Sequence, residues 1–157
     1  MKVIVVLDNI RSTFNVGSIF RTADALGVGE IILCGTTPAP VDRFGRVRKD
    51  IAKVSLGAEK NVPWKYEKST WNAVRKLKKA GWKIIAVEQA ENSVDYKKVK
   101  LAKNGKYAFV MGAEVEGVNP EILKLADMVV EIPMRGLKES LNVSVSFGVA
   151  LFRILNV

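Results

Sequence analysis

Short apolar runs alternate with segments of helical spacing along most of the chain. Val3–Leu7 is a continuous run of aliphatic residues closed by Asp8 and Asn9, which predicts a buried strand. From Asn15 to Leu26, apolar residues recur at three- and four-residue intervals and predict a helix, with Gly27 just past its end. The pattern predicts further strands at Glu30–Cys34, Trp82–Glu88, Tyr107–Met111 and Met128–Ile132. It predicts a helix that begins at Ile51 with Asp50 as its cap, and a helix that begins at Ser69 or Thr70 and ends at Ala80. Two more helices are predicted, one that begins at Pro120 after the cap Asn119 and one that extends from Ser140 or Asn142 to Leu155.

This alternation of strands and helices is typical of an α/β domain with a mainly parallel sheet flanked by helices. No internal repeat, low-complexity tract or linker interrupts it. We therefore expect a single domain over residues 1–157.

Composition excludes several kinds of chemistry. The 157 residues include 25 Lys and Arg, 16 Asp and Glu and no His, which gives a net charge of +9. Without an imidazole, Ser-His-Asp and Cys-His catalysis are excluded. The single Cys34 leaves no His/Cys zinc site and no disulfide within the chain, so we expect no metal. The excess positive charge favours a polyanionic partner. Proteins that bind no nucleic acid also reach such a charge, so composition does not decide whether this chain binds nucleic acid.

The chain is expected in the cytoplasm, without a membrane partner. Its apolar run Val3–Leu7 is too short for a signal peptide or a membrane span. A lone thiol also suits a reducing compartment.

Ligands bind at the carboxyl ends of parallel strands, and three polar loops follow predicted strands there. In the first loop, Asn15 stands at a predicted helix start, where free N–H groups favour an anion, and Arg21 follows six residues later. The alternative is that Asn15 only caps the helix and Arg21 is a surface charge.

The second loop places Gly112, Glu114, Glu116 and Gly117 directly after a buried strand. Glycine permits a close backbone approach to a ligand. The alternative is a simple strand-to-helix turn with solvated acids. The GxGxxG fingerprint is absent, so the sequence does not support a dinucleotide-binding turn.

In the third loop, Ser140, Asn142, Ser144 and Ser146 recur at every second residue. Side chains at that spacing cannot share one helix face, so Ser140 and Asn142 are expected in the loop or first turn, pointing into a cleft. Plain helix capping is the alternative.

In this order, the three loops resemble the motifs of the TrmH-like branch of the SPOUT superfamily, RNA ribose 2′-O-methyltransferases that use S-adenosylmethionine. Asn15, Gly17 and Arg21 resemble its Asn-x-Gly-x-x-x-Arg motif, and Gly112, Glu114 and Gly117 its Gly-x-Glu-x-x-Gly motif. The third loop resembles its Ile-Pro-Met…Ser-Leu-Asn-Val-Ser motif, here Ile132–Met134 and Ser140–Ser144. The resemblance extends from about Val3 to Leu155.

The resemblance implies a SPOUT fold with a C-terminal deep trefoil knot. Some members of the family carry an N-terminal substrate-binding domain, whereas here we expect a single methyltransferase domain over residues 1–157 without an appended RNA-binding domain. The resemblance also implies a homodimer in which the last helix contacts the partner. S-adenosylmethionine is expected in the knot, against the following residues: Val87, Gly112, Ile132, Met134, Ser140 and Leu141.

The catalytic residues implied by the resemblance are Arg21, Asn15, Glu114, Ser140 and Asn142. A guanidinium is always charged, so we expect Arg21 to position an RNA phosphate and the 2′-oxygen and to stabilise a developing alkoxide, rather than to act as a base. Our hypothesis is that Asn15 orients Arg21 and the ribose, and that Glu114 holds Asn15 or Arg21 of a partner chain.

The expected partner is tRNA or rRNA. The candidate RNA contacts are Arg11, Arg43, Arg46, Arg48 and Lys49. Phe44 is expected either to stack on a flipped base or to anchor its loop. A second basic cluster lies on the helix that ends at Ala80 and is expected to be either solvated surface or RNA-binding. Two other functions remain open: an RNA-binding protein of this fold without catalysis, and a SPOUT enzyme that methylates a base.

Overall fold

The chain folds into seven strands and six helices, and the computed structural model describes residues 1–157. The strands are β1 (Lys2–Asp8), β2 (Glu30–Cys34), β3 (Trp64–Glu67), β4 (Lys83–Val87), β5 (Val94–Asp95), β6 (Lys106–Met111) and β7 (Met128–Glu131). The helices are α1 (Thr13–Ala25), α2 (Lys49–Ser55), α3 (Ala58–Asn61), α4 (Thr70–Lys79), α5 (Pro120–Leu125) and α6 (Val143–Leu155).

All strands belong to one sheet in the order β3-β2-β1-β6-β4-β7-β5, and every pairing is parallel. The predicted α/β class with a mainly parallel sheet is therefore confirmed. Sequence reasoning missed β5 and the 3₁₀ turn that follows it at Tyr96–Lys98, because a two-residue strand is too short to produce a periodic pattern. The trefoil knot stays a prediction, since strand order and pairing do not describe how the chain threads.

Helices cover both faces of the sheet, which explains the continuous apolar strands. In β1, Val5 and Leu7 point into a core that includes residues of α1, α2, α3 and α6. Ile4 and Val6 point into a second core built with α4 and α5. None of the six helices combines the length and the hydrophobicity that a membrane span requires.

Two helix starts differ from the predictions. Helix α1 begins at Thr13, and its cap is Ser12, whose hydroxyl accepts a hydrogen bond from Asn15 N at 3.2 Å. Asn15 thus lies in the first turn, where it is buried, and is not the cap. Helix α2 is preceded by Arg48 without a side-chain cap, and Asp50 lies in its first turn. The predicted caps Ser69, Asn119 and Asn142 are confirmed for α4, α5 and α6.

Helix α1 packs closely on α2 at Gly17. A Cβ at this position would lie 2.9 Å from the carbonyl oxygen of Ile51 and 2.9 Å from Cβ of Val54. Only glycine permits this approach, which holds α1 beside α2 and fixes the direction in which its exposed side chains project.

Candidate functional site

The loops after β4, β6 and β7 meet the start of α6 around a cavity of about 410 Å³. This is the carboxyl edge of the sheet, where ligands bind in open α/β folds, and the volume lies within the range of small-molecule sites. The predicted cofactor residues all line it: Val87, Gly112, Ile132, Met134, Ser140 and Leu141. Of the predicted catalytic residues, Glu114, Ser140 and Asn142 also line it, whereas Asn15 and Arg21 do not.

The cavity is acidic although the chain has a net charge of +9. Glu88, Glu114 and Glu131 line it together with apolar side chains, and no Lys or Arg does. Such a lining favours a ligand with an apolar part and a positive charge. Sequence reasoning missed Glu88 and Glu131. Both lie at the ends of strands, the position that also pointed to the three polar loops, since Glu88 directly follows β4 and Glu131 ends β7.

The second loop folds tightly against the end of β4. Glu88 accepts hydrogen bonds from Val118 N at 2.9 Å and from Gln89 N at 2.8 Å. Gly112 lies against the backbone of Gly117 and Val118. A Cβ on Gly112 would fall 2.1 Å from Val118 N and 2.2 Å from the carbonyl carbon of Gly117. One wall of the cavity is therefore built on a direct backbone-to-backbone approach at Gly112.

A chain of hydrogen bonds connects all three motif loops. Glu114 Oε1 accepts from Asn15 Nδ2 at 2.9 Å and from Ser12 N at 3.1 Å, and Glu114 Oε2 accepts from Arg11 N at 3.2 Å. Asn142 Nδ2 donates to Asn15 Oδ1 at 3.0 Å. Both polar atoms of the buried Asn15 side chain are thus engaged, one by the second loop and one by the third.

These contacts bear on two of our hypotheses about side-chain roles. Glu114 bonds to Asn15 within one chain, and its contact with Arg21 of a partner chain stays a prediction. Asn15 bonds to Glu114 and Asn142 and makes no hydrogen bond to Arg21. Its role here is to tie the three loops together.

The pKa of Glu114 lies below its ordinary value. Burial alone would raise this pKa, but the hydrogen bonds from the Asn15 side chain and from backbone N–H groups outweigh burial because they favour the charged carboxylate. A carboxylate with a lowered pKa stabilises the folded state above its ordinary value of about 4.3, and this stabilisation is lost as the pH falls through the lowered value.

We therefore expect the stability difference between the wild type and Glu114→Gln to depend on pH. At pH 7 the variant should unfold more easily by about 1 kcal/mol or less, because the carboxylate is partly exposed to solvent. Urea unfolding between about pH 7 and pH 3 should show this difference shrinking as Glu114 is protonated. An Asn15→Ala background lacks one of the hydrogen-bond donors to Glu114. In that background, Glu114→Gln should change the free energy of unfolding at pH 7 by less than it does in the wild type. A difference independent of pH would contradict this account.

Arg21 lies on α1 outside the cavity. It is exposed and forms no ion pair within the chain. It follows Asn15 by six residues, which is roughly 9 Å along the axis at about 1.5 Å per residue. Next to it, Thr22 approaches α6, since a Cβ on Gly148 would lie 3.7 Å from the Thr22 methyl group. Arg21 thus directly precedes a residue of the α1–α6 contact.

The predicted RNA contacts around Phe44 form an ordered basic hairpin. Asp42 Oδ1 accepts from the backbone N of Phe44 at 2.8 Å and of Arg46 at 3.0 Å. The guanidinium carbons of Arg43 and Arg46 lie 4.8 and 5.1 Å from the centroid of the Phe44 ring. Phe44 is 66% exposed, so it does not anchor the hairpin in the core.

The predicted RNA contacts differ in whether their positive charge is paired with a carboxylate. Arg46 and Arg48 pair with Asp42 and Asp50. Arg11 pairs with Glu116 at 3.2 Å, and both side chains are largely exposed. Arg43 and Lys49 have no carboxylate partner and are exposed.

The chain is similar to known proteins over most of its length. The chain matches the SpoU rRNA Methylase family over residues 2–152. It is 37% identical over 153 residues to the 23S rRNA (guanosine-2'-O-)-methyltransferase RlmB of Ralstonia nicotianae, covering 95% of this chain and 56% of the relative. It is 34% identical over 152 residues to the tRNA (guanosine(18)-2'-O)-methyltransferase of Aquifex aeolicus, covering 95% and 66%.

Solved structures show the same similarity. An AdoMet-bound rRNA methyltransferase from Sinorhizobium meliloti superposes with a TM-score of 0.88 at 30% identity, over 99% of this chain and 56% of that one. The A. aeolicus TrmH/SpoU tRNA modifying enzyme superposes with a TM-score of 0.83 at 28% identity, over 99% and 74%. The chain spans between about half and two thirds of the length of the curated relatives described above.

Proposed function

Since this chain belongs to the SpoU rRNA Methylase family, we propose that it transfers a methyl group from S-adenosylmethionine to a ribose 2′-hydroxyl of tRNA or rRNA. The observation that supports this most strongly is the acidic cavity to which the three motif loops are tied. A cavity lined by Glu88, Glu114 and Glu131, without any cationic side chain, suits a ligand that contains a sulfonium and an ammonium group.

The residues around the cavity fit the two ends of that cofactor. Apolar Val87, Ile132, Met134 and Leu141 provide a surface for the adenine. Gly112 also lines the cavity, where its backbone groups provide polar contacts for the cofactor. Bound S-adenosylmethionine would supply an electrophilic methyl group on a positively charged sulfonium sulfur, which leaves as a neutral thioether and needs no acid.

The chain's own contribution is to prepare the hydroxyl. No His is present, and a guanidinium is not a base. Arg21 binds the RNA phosphate and stabilises negative charge as it develops on the 2′-oxygen, and the proton of the hydroxyl passes to a phosphate oxygen of the RNA. Ser140 and Asn142 line the transfer site, and Asn142 is held in place by Asn15.

Arg21 reaches a cavity most directly in a homodimer. An apolar stripe on α6 includes Val145, Val149 and Phe152, with exposed fractions of 49%, 39% and 39%. Burying this stripe against a second copy is favourable, and Arg21 lies on α1, which packs against α6. Arg21 then serves the cavity of the partner, which accounts for its distance from the cavity of its own chain.

The net charge of +9 and the basic hairpin around Phe44 suit an RNA substrate. Phe44, flanked by two guanidinium groups, offers a flat surface on which a base stacks. An enzyme with tRNA or rRNA as substrate acts in the cytoplasm.

Nucleoside analysis tests this function. Incubation of the protein and S-adenosylmethionine with tRNA and rRNA from a strain lacking the gene should yield a 2′-O-methylated nucleoside, detected by mass spectrometry after digestion. A methylated base instead would indicate a base-methylating enzyme of the same fold. Absence of S-adenosylmethionine binding in calorimetry would indicate an RNA-binding protein without catalysis. Either result would contradict the proposal.

A further inference from the structure

A second cleft, of about 250 Å³, lies at the same edge of the sheet as the cofactor cavity. Its lining includes Asp8 at the end of β1, Gly35 after β2, and the first residues of α4 and α5. The loop after β6 separates the two spaces, because residues 112–115 and 117 line the cavity and residues 119, 121 and 122 line the cleft. Both spaces therefore lie at the same edge of the sheet, on either side of this loop.

At the floor of the cleft, the Asp8 carboxylate is held rigidly and already has its hydrogen-bond partners within the chain. The buried Asp8 carboxylate accepts hydrogen bonds from Thr70 Oγ1 at 2.6 Å, from Asn9 Nδ2 at 3.0 Å and from Asn119 N at 3.2 Å. These bonds fix the ends of β1, α4 and α5 relative to one another. The groups free to meet a ligand are consequently those of the rim.

The lining of the cleft includes Trp71, Lys68 and Glu121, whose carboxylate pairs with Lys124, and Arg75 lies next to Trp71 just outside the lining. Trp71 is 41% exposed, and its indole N–H has no acceptor within the chain. The Arg75 guanidinium carbon, one helical turn further on, lies 4.3 Å from the centroid of the Trp71 ring. Neither Arg75 nor Lys68 pairs with a carboxylate, whereas the nearby Lys76 and Lys78 pair with Glu67 and Asp127.

We propose that this cleft binds a nucleotide of the RNA substrate other than the one that is methylated, with its base stacked on Trp71 and its phosphates held by Lys68 and Arg75. An aromatic platform with adjacent cations is the arrangement by which proteins hold single-stranded nucleic acid irrespective of sequence. The polar floor and the free cations favour RNA over a hydrophobic protein partner. The proposal rests on RNA being the substrate of the proposed function.

Two labelled oligomers of equal charge separate stacking from phosphate binding. One is oligoadenylate of about 12 nucleotides, a length within the site sizes of single-strand binders, and the other is an abasic sugar–phosphate chain of the same length. Fluorescence anisotropy at low salt measures their affinities for the wild type and for Trp71→Ala, Trp71→Phe and Arg75→Ala. Lys103→Ala, which removes an exposed cation just before β6 at the opposite edge of the sheet, is the matched charge control.

Trp71→Ala should weaken oligoadenylate binding by about tenfold or more and leave abasic binding unchanged, because only stacking is lost. Trp71→Phe should recover most of the affinity. Arg75→Ala should weaken the binding of both oligomers by similar factors. Lys103→Ala should lower neither affinity by as much.

Melting temperatures of all variants monitor the fold, and the Phe variant keeps the test valid if the Ala variant unfolds. Wild-type affinity of Trp71→Ala for oligoadenylate, equal losses for both oligomers, or no binding of oligoadenylate by the wild type would overturn the proposal. These outcomes are independent of methyl transfer by the wild type, which tests the proposed function separately.

Discussion

Arg21→Ala should lower the rate of methyl transfer by about a hundredfold or more while the affinity for S-adenosylmethionine stays unchanged. Arg21 does not line the cofactor cavity, so its removal leaves the cofactor contacts intact. What is lost is the charge that positions the RNA and stabilises the developing alkoxide. Single-turnover methylation assays measure the rate, and calorimetry measures cofactor binding.

Arg21→Lys is the informative control. Lysine keeps the charge but not the planar, bidentate geometry of the guanidinium, so an intermediate rate is expected. Turnover at the wild-type rate in the Ala variant would exclude Arg21 from catalysis.

Gly112→Ala should nearly abolish cofactor binding and lower the melting temperature. The added Cβ would fall 2.1 Å from Val118 N and 2.2 Å from the carbonyl carbon of Gly117, and backbone atoms cannot rotate away as a side chain can. The loop must therefore open, which breaks the hydrogen bond from Val118 N to Glu88 and changes one wall of the cavity. Overpacking of this kind typically costs about 1–3 kcal/mol of stability.

Gly136→Ala makes the same chemical change in the neighbouring loop. A Cβ there has no atom within 4 Å, so stability and cofactor affinity should remain those of the wild type. Thermal unfolding and calorimetry of the two variants side by side make the comparison. Wild-type affinity in Gly112→Ala would show that the close approach is unimportant for the cavity.

Mixing the two inactive variants tests whether Arg21 serves the partner's cavity. In a dimer of one Arg21→Ala chain and one Gly112→Ala chain, the intact cavity of the first receives the intact arginine of the second. About a quarter of the wild-type rate is expected after random mixing, because half of the dimers are mixed and each has one complete site. No recovery of activity would mean that Arg21 acts within its own chain.

Local patterns predicted most of the strands and the edge of the sheet at which the cavity lies. Runs such as Val3–Leu7 are continuous because both faces of the sheet are covered, and the strand-end rule located the loops around the cavity, whereas the resemblance assigned cofactor residues such as Gly112 and Ile132 within them. Capping preferences correctly predicted Asn142 at the start of α6. These features depend on neighbouring residues only.

Contacts between distant segments could not be predicted in the same way. The bond between Asn15 and Glu114 joins residues 99 positions apart, and no local pattern specifies which loop side chains meet across that separation. On α4 the sequence showed a uniform cluster of cations. Only the fold reveals that Lys76 and Lys78 are neutralised by Glu67 and Asp127, which leaves Arg75 free beside Trp71.

The position of β6 has a consequence for how the molecule folds. The strands on one side of it, β3-β2-β1, and those on the other, β4-β7-β5, pair with one another only through β6. Its pairing with β1 closes a chain segment of about a hundred residues, which is entropically expensive and slow. We therefore expect the two halves of the sheet to join late in folding, and this event brings Glu114, which follows β6, against Asn15, which follows β1. The lining of the cavity, by contrast, comes only from residues 87–146, so the cavity belongs to the second half of the sheet while the tie to Asn15 depends on the closure of the whole sheet.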